Sequence, residues 1–291
     1  MNTNNNIYTI VYSAIIVVVV AAILAWVAMA LKPKQDANIK AETISQMLAA
    51  AQFASKEDLA QIGNDQVLEQ YSKYIKEAYL IDAQGIKVRD LDLETRELGD
   101  NLKAQNTHLK NQEAVELPVY VFNKDGKDVT VLPVYGAGLW GPVWGYIAFD
   151  EDMKTILGVY FDHESETPGL GAKIKDDPAF RAQFVNKTVD LDADPVFAVV
   201  KNASGANQVD AITGATMTSK GLGAAIGTWL AAYKPFFSAK AVPAKNPCNC
   251  GEFCPCEDCQ CDCHCHPGQT HCECPDCPCE NCPTGSHTME E

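Results

Sequence analysis

No cysteine precedes Cys248 in this 291-residue chain, no charged side chain lies between Ile7 and Leu31, and no Lys or Arg follows Lys245. Each absence excludes something. Without cysteine, the middle of the chain is stapled by neither disulfides nor a thiolate-held metal, and a domain of about 200 residues buries enough apolar surface to fold without them. Without charge, the 25 residues Ile7–Leu31, rich in Val, Ile and Ala, are long enough to cross a hydrocarbon layer about 30 Å thick. A cleaved signal peptide is the rival reading, with Ala28-Met29-Ala30 as a small-x-small site, but no basic residue precedes the run and its length exceeds an ordinary h-region. The segment after Lys245 holds nine acidic residues, more than half of the net charge of −15, which leaves 23 basic against 29 acidic residues elsewhere. No basic cluster points to nucleic acid. Nor is there a strand–Gly-x-Gly-x-x-Gly–helix unit to seat NADH.

What is present reads as an α+β chain: a single N-terminal transmembrane helix, then a mixed, mainly antiparallel sheet domain with packed helices, then a disordered Cys-rich tail. We divide it into an anchor (1–34), a helical stalk with the first part of the extramembrane domain (35–116), a ligand-binding domain (117–239) and an acidic tail (240–291). From Asp36 to Glu77 apolar residues recur at helical spacing, broken near Gly63-Asn64. Ala78–Val88 reads as two strands around Gln84-Gly85, and 90–116 as surface helix and loop. Hairpin patterns follow at 117–122 with 129–135, and at 146–149 with 155–162. Pro178–Phe184 is a short helix, 189–193 and 196–201 are strands, and Ser219–Tyr233 is a glycine-weakened helix ended by Pro235.

Three loops stand out. Asp210-Ala-Ile-Thr-Gly-Ala-Thr-Met-Thr218 packs small residues and three hydroxyls into one turn before a helix. It is either a phosphate seat or an ordinary helix cap, and local pattern leaves both open. Gly136-Ala-Gly-Leu-Trp-Gly-Pro-Val-Trp-Gly145 sets aromatic rings among glycines, either for a planar ligand or for packing at a strand junction. His163-Glu-Ser-Glu-Thr-Pro-Gly-Leu-Gly171 follows a strand end, where loops often carry function, and its lone histidine reads as a satisfied surface imidazole.

Together, the single span, Gly136–Trp140, Glu166-Thr-Pro-Gly-Leu-Gly171 and Asp210-x-x-Thr-Gly-Ala-Thr-x-Thr218 resemble the NqrC family, the flavin-carrying component of the sodium-translocating NADH:quinone oxidoreductases, over about Ile7 to Ala239. The resemblance implies FMN joined through its phosphate to the hydroxyl of Thr218 by a separate, magnesium-dependent flavin transferase. Thr213, Gly214, Ala215 and Thr216 then shape the turn. Thr167, Leu170 and Gly171 line the flavin, with Leu139 and Trp140 nearby, while Asp210 assists the transferase through magnesium or a proton. The resemblance further implies an electron-transfer subunit without a complete active site, partnered by the other subunits of a sodium-pumping, quinone-reducing complex. The flavin domain is expected on the periplasmic side of the inner membrane, whereas Lys32 and Lys34 alone point it to the cytoplasm. The G subunit of the Rnf ferredoxin:NAD oxidoreductases shares the threonine motif and the Glu166–Gly171 loop and is the alternative.

Neither family implies the tail. Cys248, Cys250, Cys254, Cys256, Cys259, Cys261, Cys263, Cys265, Cys272, Cys274, Cys277, Cys279 and Cys282 fall largely in Cys-x-Cys pairs, with His264, His266 and His271 among them. Adjacent thiolates at that spacing suit Zn²⁺ or Cu⁺, and disulfides in an oxidising compartment are the other reading. A membrane-anchored metal-binding protein is therefore a second function class.

Overall fold

The computed structural model describes residues 6–91 and 97–241. Helix α1 (Asn6–Ala50) runs unbroken for 45 residues with Pro33 inside it, so the expected anchor and the start of the expected stalk are one helix. Its two parts differ in surroundings. Trp26 and Met29 in the charge-free part are 72% and 75% exposed, while Ile44, Met47 and Leu48 are fully buried. The first part is long and apolar enough to cross a membrane. The second lies on the sheet domain.

After α1 come α2 (Lys56–Leu59) and α3 (Asn64–Tyr74), then strands β1 (Ile75–Ile81) and β2 (Lys87–Asp90) around the turn at Gly85. Helix α4 (Glu97–Asn111) occupies the charged segment, and its buried Leu102, Gln105 and Asn106 correct the expectation of a wholly surface element. Strands β3 (Leu117–Lys124), β4 (Lys127–Ala137), β5 (Pro142–Phe149) and β6 (Ile156–His163) follow as two hairpins. All six strands pair antiparallel in the order β2-β1-β3-β4-β5-β6. Short helices α5 (Lys173–Asp176) and α6 (Pro178–Ala182) lead to the parallel pair β7 (Ala198–Val200) and β8 (Gln208–Asp210). Helix α7 (Thr216–Ala232) follows, and then α8 (Lys234–Ala241).

Alternation along the strands gives the sheet two apolar faces. One carries Tyr120, Phe122, Val129, Val131, Tyr146 and Ala148 into a core shared with α1 and α3. The other receives α7: a Cβ on Gly136 of β4 would lie 2.6 Å from the Ala225 Cβ, so glycine there sets how closely helix and sheet approach. Across this layer, Trp229 donates its indole N–H to Asn106 of α4 at 3.3 Å, and the Tyr233 hydroxyl donates to the Pro118 carbonyl at 2.7 Å.

Two strand expectations need correction. Residues 189–193 form a turn, in which the Asp190 carboxylate accepts from the Asp192 amide at 3.0 Å, and the apolar pair Val189 and Leu191 had imitated a strand. Gln208–Asp210 is a strand despite its polar ends, because it pairs with Ala198–Val200.

Candidate functional site

The three loops singled out in the sequence converge where β4, β6 and α7 end or begin. The Gly136–Gly141 segment spells the letters of a dinucleotide loop, yet it joins β4 directly to β5 and leads to no helix, so it is a hairpin connection. The Gly138 amide donates to the Gly141 carbonyl at 2.8 Å, which turns the amides of Leu139 and Trp140 toward the body of the protein. Both donate to the same oxygen, Glu166 Oε1, at 2.7 and 3.0 Å. Ser165 strengthens the junction by donating its hydroxyl to the Trp140 carbonyl at 3.0 Å.

Glu166 lies three residues past the end of β6. Its backbone N–H donates to His163 Nδ1 at 3.1 Å, which accounts for that histidine as a satisfied imidazole. Its second carboxylate oxygen, Oε2, accepts from the Thr218 hydroxyl at 2.6 Å. Burial of Glu166, 4% exposed, pushes its pKa up, but the Thr218 hydroxyl and the Trp140 and Leu139 amides outweigh this and hold it below the ordinary value of 4.5. A buried carboxylate is thus kept ionised chiefly by neutral donors.

Thr218 is the third residue of α7 and is 1% exposed. Of the two readings left open for this turn, the ordinary side-chain cap is not formed: the N-cap position is Ala215, which offers no side-chain oxygen. The first-turn amides of α7 consequently lack a side-chain cap at the positive end of a 17-residue helix. Ser219 works backwards instead, accepting from the Ile212 amide at 3.0 Å and closing the turn over Gly214, whose φ of +82° favours glycine. Thr213, Gly214 and Thr216 are exposed and Ala215 is buried.

Small residues let the loops meet. A Cβ on Gly171 would collide with Glu166 Oε2 and stand 2.6 Å from Thr218 Oγ1, and a Cβ on Gly138 would collide with Glu166 Oε1. Leu170 Cδ2 lies 3.1 Å from the position a Cβ on Gly214 would take, so the Pro168–Gly171 segment covers the threonine turn. Around the buried pair stand Leu139 (49% exposed), Trp140 (66%), Leu170 (43%) and Met217 (57%), a rim of exposed apolar side chains beside a polar centre.

Of the residues expected at the site, Leu139, Trp140, Leu170, Gly171, Gly214 and Thr218 are joined by these contacts. Thr167 is exposed on the same loop, where its carbonyl accepts from the Leu170 amide at 3.1 Å. Asp210 is turned elsewhere: its carboxylate accepts from the Ala203 amide at 2.8 Å. Glu166 and Met217 were not singled out as site residues. Glu166 lay inside a quoted motif, and the available signal was a carboxylate set between two glycine-rich loops. The thirteen tail cysteines, with the zinc or copper reading they carry, lie outside the described residues.

These features fit FMN. An alcohol for a phosphoester sits at an uncapped helix N-terminus that favours phosphate, beside apolar side chains able to cover an isoalloxazine ring. The FMN-binding domain family matches residues 138–231, which, in chain order, take in the second and third loops whole and the first from Gly138 onward. Over 239 residues the chain is 30% identical to the C subunit of the Na(+)-translocating NADH-quinone reductase of Yersinia pestis, covering 76% of this chain and 87% of that protein. The corresponding C subunit of Vibrio parahaemolyticus is 29% identical over 233 residues, 73% of this chain and 85% of its own length. The crystal structure of the C subunit from Parabacteroides distasonis matches with a TM-score of 0.60 and 33% identity, covering 72% of this chain and 97% of that one.

Proposed function

The chain belongs to the NqrC family, the C subunits of the Na(+)-translocating NADH-quinone reductases, and from that premise we propose that it carries FMN as a phosphoester on Thr218 within a sodium-pumping, membrane-bound complex. The family and the FMN-binding domain make it an electron-transfer subunit of an NADH-quinone reductase. FMN, when bound, supplies the electron chemistry. The chain's residues supply position: α7 presents the hydroxyl, its first-turn amides balance the phosphodiester charge, and Leu139, Trp140, Leu170 and Met217 flank the ring. One observation carries the covalent assignment, namely a threonine hydroxyl held at 2.6 Å by a carboxylate under the apolar rim.

Attachment requires a flavin transferase, and quinone reduction requires the other subunits of the complex. The same reading sets the flavin domain on the periplasmic side of the inner membrane, where an exported transferase works, and α1 is the single-pass anchor. In this reading the two lysines after the span do not decide orientation, because a large domain is translocated largely regardless of such charges.

The test is co-expression of the full chain with a flavin transferase, read by fluorescence of the band on a denaturing gel and by intact mass. Wild type is expected to fluoresce and to gain one FMN phosphoester, and Thr218→Ala to do neither. A dark wild-type band, or a fluorescent Thr218→Ala band, overturns the assignment.

A further inference from the structure

We propose that Glu166 is the proton acceptor of the flavin attachment reaction, a catalytic group that the acceptor protein itself provides. The inference rests on the reading that FMN is esterified to Thr218. An aliphatic hydroxyl is a weak nucleophile at neutral pH and attacks phosphorus well only when a base takes its proton. Thr218 Oγ1 already donates that proton to Glu166 Oε2 at 2.6 Å, within the reach a general base needs. Among the described residues the structure gives the hydroxyl no other hydrogen-bond acceptor.

Glu166 is also held for the task. Its Oε1 accepts from two consecutive amides, Leu139 and Trp140, so the carboxylate is oriented by backbone at one end and leaves the other for Thr218. Those amides belong to the β4–β5 connection, not to the segment that covers the threonine.

The reaction balances as a phosphoryl transfer with no change in oxidation state. The donor is a flavin phosphoanhydride such as FAD, since an FMN monoester alone offers no adequate leaving group. The bond from Thr218 Oγ1 to phosphorus forms, the anhydride P–O bond breaks, and the nucleoside monophosphate leaves with its electron pair. The Thr218 proton passes to Glu166 Oε2. Neutralising Glu166 also removes the repulsion between its carboxylate and the new phosphodiester anion.

Full-length chain made without transferase, solubilised in detergent, is mixed with purified transferase, Mg²⁺ and FAD, and the initial rate of covalent flavin gain is followed by gel fluorescence and intact mass. Two variants separate chemistry from shape. Glu166→Gln keeps the size, but its single carbonyl oxygen is claimed by the two amides and its NH₂ faces Thr218 as a donor. Glu166→Asp keeps the base but shortens the reach. A proton acceptor predicts the order wild type, Asp, Gln, with Gln slower by about 100-fold to 10,000-fold. A role in loop shape alone predicts that Gln exceeds Asp, and that order, or a wild-type rate in Gln, overturns the proposal. Should Gln not fold, as judged by circular dichroism, Glu166→Ala with added formate as a substitute base decides: restored flavin gain supports the proposal, and no restoration overturns it. Failure of wild type to gain flavin instead removes the Thr218 reading and this proposal with it.

Discussion

Asp162 and Glu166 are four residues apart, equally buried at 5% and 4% exposure, and held in opposite ways. Asp162 is locked by a cation: Lys175 Nζ lies 2.9 Å from Oδ1, Gln46 of α1 donates to Oδ2 at 2.9 Å, and the His163 amide donates at 2.8 Å. Gln46 in turn accepts from the Trp144 indole at 3.3 Å, so this cluster ties α1, the sheet and α5 together. The Glu166 carboxylate is held by two amides and one hydroxyl. A carboxylate satisfied by a lysine is a fixed structural tie, whereas one satisfied by an alcohol can exchange that proton. The contrast separates a contact that holds α1 on the sheet from one that leaves a hydroxyl as the carboxylate's partner.

The most disruptive way to break the contrast is Gly171→Ala. Its methyl would press on Glu166 Oε2 and Thr218 Oγ1 together, and overpacking of this kind costs about 1–3 kcal/mol. Urea unfolding of the detergent-solubilised chain should register that loss, with covalent flavin gain falling in parallel. Destabilisation with undiminished flavin gain would show that the two groups need not stay adjacent.

Next in size is Lys175→Met, which leaves Asp162 buried without its cation. Removing one partner of a buried pair costs several kcal/mol, but Lys175 is 37% exposed and Gln46 and His163 still donate to Asp162, so about 1–2 kcal/mol is expected. Stability should fall while the rate of flavin attachment stays near wild type. An equal drop in both would erase the distinction between the two carboxylates.

The smallest effect is the acid limb of Glu166. Its folded pKa lies below the ordinary 4.5, so its contribution to stability is fully present above that value and is lost as pH falls through the folded one. The unfolding midpoint of wild type should therefore drop more steeply below pH 4.5 than that of Glu166→Gln. Parallel curves would mean that the hydrogen bonds to Glu166 do not favour its ionised form.

Much of the fold was legible because its signals are local. The charge-free run, the hairpin turn at Asp125-Gly126 with positive φ at both residues, and the short apolar runs that become β3 to β6 all rest on neighbours in sequence. Where a partner far away decides, reading failed. Asn106 in α4 is buried because Trp229 meets it 123 residues later, and β8 is a strand because β7 lies beside it. At the site, the glycine and threonine loops were legible as loops, but the carboxylate that joins them was not. Nothing in Glu166 as a letter distinguishes it from Glu164, which is exposed two residues earlier.

By itself, the sequence determined that an apolar helix precedes a cysteine-free α+β domain, and that three glycine- and threonine-rich loops interrupt it, because charge, periodicity and turn chemistry act over a few residues. Only the tertiary structure decided that those loops meet, with Thr218 on a helix start, Glu166 beneath it and two amides behind Glu166. A hydrogen bond of 2.6 Å between residues 52 positions apart exists only where sheet and helix packing brings them together.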